Sequence, residues 1–130
     1  MACFQSSLIA EKVREADSLG RADWMLREPL IFQSDLIGLL IVPSGFICDF
    51  ASVPRLPVAF WLTGDTAHAS AVVHDYLCRV SIPNGDVTWR QAADVFDEAM
   101  KAEGVSSWRR FLMRWAVTGA DPANKWEDPQ

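Results

Sequence analysis

Positive charge is scarce in these 130 residues: 12 Lys and Arg stand against 17 Asp and Glu, a net charge of −5. Nucleic-acid binding rests on clustered cations that neutralise phosphates, so no nucleic-acid partner is expected. Cysteine is sparse as well. Cys3, Cys48 and Cys78 form neither a CxxC pair nor the even set of a small secreted scaffold, and read as reduced thiols made in a cytosol. No apolar run is long: the longest, at 36–42, falls far below the roughly 18–20 residues of a membrane span. No basic segment followed by an apolar run opens the chain, so neither a span nor a signal peptide is expected. Only two histidines occur, His68 and His74, so imidazole chemistry has two addresses.

What is present is apolar and aromatic. Half the residues are hydrophobic, with six Trp and seven Phe, enough to bury the core of one domain and too short a chain for two. The opening stretch IAEKVREADSLG sets Ile9, Val13 and Ala16 at helical spacing before Gly20, which predicts a short helix or a docking arm over 1–20. From 24 to 53 the signals turn to strands: WML, LIFQ, LIGLLIV and FICDFASV, broken at Pro29, at 35–38 and at 43–45. Three helices are expected afterwards, at about 66–80 with Asp65 or Thr66 as N-cap, about 88–103 closed by Gly104, and about 107–118. The last carries an apolar stripe of Trp108, Phe111, Leu112, Trp115 and Ala116, and a basic face of Arg109, Arg110 and Arg114 that reads as solvated or paired with acids. Strands first and helices after give an α+β fold, with helices on one side of a small antiparallel sheet. The domain is placed at 21–121 and a tail at 122–130.

The stretch AVVHDYLCRV (71–80) places a histidine and an aspartate side by side in small apolar surroundings. At 100° per residue, His74 shares a face with Ala67, Ser70, Ala71 and Cys78, so it should point towards a partner helix. Asp75 falls on the wetter side, near Arg79 and His68. Chemically, His74 is a candidate general base and Asp75 a candidate ligand or electrostatic group. The plainer reading makes His74 a buried hydrogen-bonded side chain and Asp75 the i, i+4 partner of Arg79. In the next helix Trp89, Ala92, Ala93, Phe96, Ala99 and Met100 form the core stripe. Asp94 lies far round from it, which reads as solvated unless that side meets the first helix. Cys78 shares a face with His74 and could join Cys48 or Asp49 around zinc, but two thiols serving as small hydrophobes is the simpler account. Asp49 and Ser52 can cap neighbouring backbone while Pro54 stiffens the strand exit; Asp49 can equally pair with Arg55 or approach His74.

Three segments carry a resemblance. VPSGFICDFASVPR (42–55), AVVHDYLCRV (71–80) and WRQAADVFDEAMKAEGV (89–105) together resemble a family of small phage and prophage proteins of unknown function. That family has Thr where Cys48 stands and Tyr where Cys78 stands. The HD and AD motifs are also similar, more distantly, to phospholipase A2-type sites. That similarity implies His74 as the base, Asp75 as a calcium ligand and Asp94 as the carboxylate that orients the imidazole.

Two functional classes follow. The first, which we take as the principal expectation, is a phage-encoded virion- or tail-associated accessory protein with a buried His–Asp network. It would be made in the host cytoplasm and partnered by other phage structural proteins or by itself. The alternative is a His/Asp hydrolase, calcium-assisted, acting on lipid or cell-envelope bonds.

Overall fold

The computed structural model describes residues 1–14, 23–48, 68–111 and 113. Six strands come first: β1 (Cys3–Phe4), β2 (Ala10–Arg14), β3 (Asp23–Leu26), β4 (Leu30–Ser34), β5 (Gly38–Val42) and β6 (Ile47–Cys48). Helix α1 (His68–Tyr76) runs directly into a π-helical turn (Leu77–Ser81), and α2 (Trp89–Ala102) follows. A third helix, α3, is described over 107–111 and at 113. The fold is α+β, as the order of strand and helix signals predicts.

The strands form two antiparallel three-stranded sheets, ordered β1-β4-β5 and β2-β3-β6. Alternation explains the first. Along β4, Leu30, Phe32 and Ser34 are buried while Ile31 and Gln33 are partly exposed, and their cross-strand partners include Leu40 and the buried Val42. Phe4 of β1 lies with its ring 4.7 Å from Phe32. Gly38, at φ +84°, closes the β4–β5 turn in a conformation that disfavours residues with a Cβ. In the second sheet, Leu26 and Cys48 face inward, and Trp24 pairs with Cys48.

The N-terminal segment departs from expectation. The stretch expected as a helix or free arm is β2 at 10–14, and 3–4 is β1. Cross-strand chemistry explains the difference. Lys12 lies opposite Trp24 with its ammonium 5.3 Å from the ring, Arg14 pairs with Asp23 at 2.9 Å, and Glu11 accepts from Arg27. A helix would bring none of these pairs together.

α2 behaves as its pattern dictates. Thr88 and Gln91 form a reciprocal capping box, and Gly104 at φ +86° follows the C-terminus. Its Ala92, Ala93, Val95, Phe96, Ala99 and Met100 are all buried, against α1 on one side and β1 and β4 on the other. The expected N-cap of α1 at Asp65 or Thr66 lies outside the described residues, as do the segment 49–67 and the tail. Of the predicted α3 stripe, Leu112, Trp115 and Ala116 lie outside the described residues. Trp108 and Phe111 are 61% and 68% exposed, whereas Met113 and Val105 are buried. Arg110 faces in instead, donating to the Val105 carbonyl at 2.9 Å and lying 3.4 Å from Asp97. Two polar partners for one guanidinium fix that face inward. Among the described residues, no helix is long and apolar enough to cross a membrane.

Candidate functional site

The HD pair lies where α1 crosses α2, a meeting made close by small side chains: Ala71, Ala92, Ala93 and Ala99 are all buried. His74 points inward as its face predicts and is only 2% exposed. Its ring packs on Phe96 of α2, centroids 4.8 Å apart, and both ring nitrogens lie 3.6–3.8 Å from the Cys78 sulfur. Burial favours the neutral imidazole and lowers its pKa to about 4. At neutral pH this histidine is uncharged and a weak proton acceptor.

Asp75 corrects the helical-wheel expectation of a wetter position: it is 0% exposed. Its side of α1 meets β6 rather than solvent. Arg79 lies over it and donates to Oδ2 at 3.2 Å, the i, i+4 pair that spacing suggests. The same guanidinium nitrogen donates to the Ile47 carbonyl at 2.6 Å, and the guanidinium sits 5.2 Å from the centre of the Phe46 ring. Phe46 in turn meets Tyr76 edge-on at 5.4 Å. Arg79 belongs to the π-helical turn, whose widened backbone buries Leu77 and Ser81 while leaving Arg79 near the surface, in reach of β6.

Asp94 lies on α2, half-buried and engaged with other groups. Phe96 and Cys78 are among the groups that meet His74, and Arg79 is among those that meet Asp75. Asp49, Ser52 and Arg55 lie outside the described residues. No three His, Cys, Asp or Glu side chains converge among the described residues, so neither the zinc set around Cys78 nor a calcium cage around Asp75 is assembled there. Calcium asks for six or more oxygens. One oxygen of Asp75 is already given to a guanidinium, and the donors among the described residues do not make up such a set.

Two polar contacts escaped the sequence reading. Glu103, at the C-terminal end of α2, reaches the start of α1, where its Oε1 accepts from the Ser70 N–H at 2.7 Å and from the buried Ser70 hydroxyl. The Ala69 N–H donates to it as well. Burial pushes Glu103 above the ordinary carboxylate range, partly offset by the Ser70 and Ala69 hydrogen bonds and by the charge of His68. A signal existed: a glutamate in the last turn of a helix opposes the dipole and is better explained by a partner elsewhere. Glu98, one turn earlier, holds the β4–β5 turn, accepting from the Ser34 hydroxyl at 2.6 Å and from the Asp35 N–H at 2.9 Å.

Chemically, the arrangement is a set of buried and half-buried polar contacts between elements. His74 bridges α1 to α2, Asp75–Arg79 bridges α1 to β6, and Glu103 ties the far end of α2 to the start of α1.

Comparison with known proteins adds a family. A model described as a protein of unknown function, DUF1353, matches residues 24–117. The uncharacterized protein y4jT of Sinorhizobium fredii is 34% identical over 86 residues, covering 62% of this chain and 24% of that protein. The chain thus spans about a quarter of the length of this relative. No solved structure matches it.

Proposed function

The chain belongs to the DUF1353 family, a family of unknown function, and from that premise we propose that it is a phage-encoded, virion- or tail-associated accessory module whose His–Asp pair serves as a packing lock. The observation that carries this reading is the setting of His74: 2% exposed, stacked on Phe96, beside a thiol, and held neutral by burial. A water-activating base needs water and a pKa near the working pH. Asp75, the residue that would hold a metal, instead has its charge matched by Arg79. The likeness of the segments at 42–55, 71–80 and 89–105 to phage and prophage proteins supports the setting, in which the protein is made in the host cytoplasm and joins the particle or its tail.

Two measurements test this reading together. His74→Gln should lower stability by about 1–3 kcal/mol, the usual cost of disturbing a buried polar group. The unmodified protein should release no fatty acid from phosphatidylglycerol vesicles, with or without calcium. Turnover that His74→Gln or Asp94→Asn abolishes at unchanged melting temperature would instead establish the hydrolase. Immunoblotting of particles purified after induction of the carrying prophage tests the location, and absence of the protein from them removes the virion role.

A further inference from the structure

The two sheets treat their open edges differently. The longer edge strand of the β2-β3-β6 sheet is β2, which carries Glu11, Lys12 and Arg14 and a register irregularity between Lys12 and Arg14. Charges and bulges are the devices by which proteins keep an edge strand from pairing with another chain. β5, the longer edge strand of the β1-β4-β5 sheet, has none of them. Its sequence is GLLIV, and no charged residue occurs in β1, β4 or β5.

The direction of the free backbone groups on β5 follows from the ladder. The Ile31 carbonyl accepts from the Gln5 N–H at 2.8 Å, and the Ile31 N–H donates to the Ser6 hydroxyl at 2.9 Å, so Ile31 turns its backbone towards the β1 side. Alternation then turns Leu30, Phe32 and Ser34 towards β5, where their partners are Val42, Leu40 and Gly38. Leu39 and Ile41 are therefore the residues whose N–H and C=O point outward. No strand lies beside them among the described residues. Their side chains are 55% and 50% exposed, on the same sheet face as the partly exposed Ile31.

We propose that β5 is a self-association edge, and that two copies of this chain pair antiparallel through it about a two-fold axis at Leu40. An open ladder is completed only by another extended strand, and this strand is complementary to itself. With Leu40 on the axis, Leu39 of each copy faces Ile41 of the other, and these are the outward-pointing residues that can exchange both hydrogen bonds of a pair. The exposed aliphatic side chains then cover one another as cross-strand neighbours. Two chains of net charge −5 repel in general, but this pairing brings no strand charge against its like. The two three-stranded sheets become one continuous sheet spanning both copies.

Sedimentation equilibrium with amide exchange tests the pairing. The unmodified chain should form a dimer, and the Leu39 and Ile41 amides should exchange more slowly as concentration rises. The double variant Leu39→Lys/Ile41→Lys, which places like charges face to face, should weaken the dimer about tenfold or more. The double variant Leu39→Glu/Ile41→Glu should do the same. Mixing the two variants should restore a mixed dimer, an outcome that misfolded variants could not give. Val13→Lys on the guarded β2 edge should change nothing. An unmodified chain that stays monomeric to its solubility limit overturns the proposal and leaves the edge to a strand from a different protein. A dimer that survives the Lys substitutions, or variants that fail to recombine, overturns it too.

Discussion

A single buried imidazole gives this protein a pH response whose sign follows from its surroundings. The pKa of His74 is lowered from 6.5 to about 4 by burial, so between those values the unfolded chain binds the proton and the folded chain does not. The stability it confers is complete above pH 6.5 and is lost as pH falls towards 4, at up to about 1.4 kcal/mol per pH unit. Denaturant titrations across that window should show the slope, and His74→Gln should flatten it; equal slopes in both proteins would place the acid sensitivity elsewhere. Glu103 works in the opposite direction. Because desolvation raises its pKa in the fold, its contribution is greatest below the unfolded value and declines as pH rises through the folded one. Glu103→Gln keeps an acceptor for Ala69 and Ser70 without the charge, so its stability relative to the parent should be more favourable at neutral pH than at acid pH. Glu103→Ala, which leaves the start of α1 without that acceptor, should cost about 1 kcal/mol, in line with loss of a helix cap. Thermal melts of both variants at two pH values decide this, and an Ala variant as stable as the Gln one would show that the contact contributes nothing.

At the scale of elements, what could be read from the sequence depended on where the partners lay. The bounds and core stripe of α2 were legible, because Thr88, Gln91 and Gly104 lie at its ends and its apolar stripe is broad, whereas the partners of Glu98 and Glu103 were not. The inward direction of His74 followed from the small residues around it. The seclusion of Asp75 did not, since it depends on β6 and Phe46, which come about thirty residues earlier in the chain. In α3 the described part of the stripe, Trp108 and Phe111, is exposed, while Arg110 meets Asp97 and the Val105 carbonyl, the pairing with acids that its basic face suggests. The N-terminal segment has spacing that fits a helix, and only Trp24, Asp23 and Arg27 on other parts of the chain make it a strand. This last point yields a test. If β1 and β2 each complete a sheet, deleting residues 1–14 should abolish the cooperative unfolding transition. A shortened protein that melts cooperatively within a few degrees of the parent would restore the reading of this segment as a dispensable arm.

For the molecule as a whole, α2 is the common support. It packs against α1 and against β1 and β4, and Glu98 within it reaches the β4–β5 turn while Glu103 at its C-cap reaches the start of α1. Arg79 connects α1 with the other sheet through Ile47. The two sheets are also threaded alternately. β1 belongs to one, β2 and β3 to the other, β4 and β5 to the first again, and β6 to the second. During synthesis, therefore, the first sheet lacks its last strand until Val42 has emerged, and the second waits for Cys48. A ribosome stalled before Val42 would hold a chain with loose ends in both sheets, and a cleavage between the sheets could never release two self-sufficient halves.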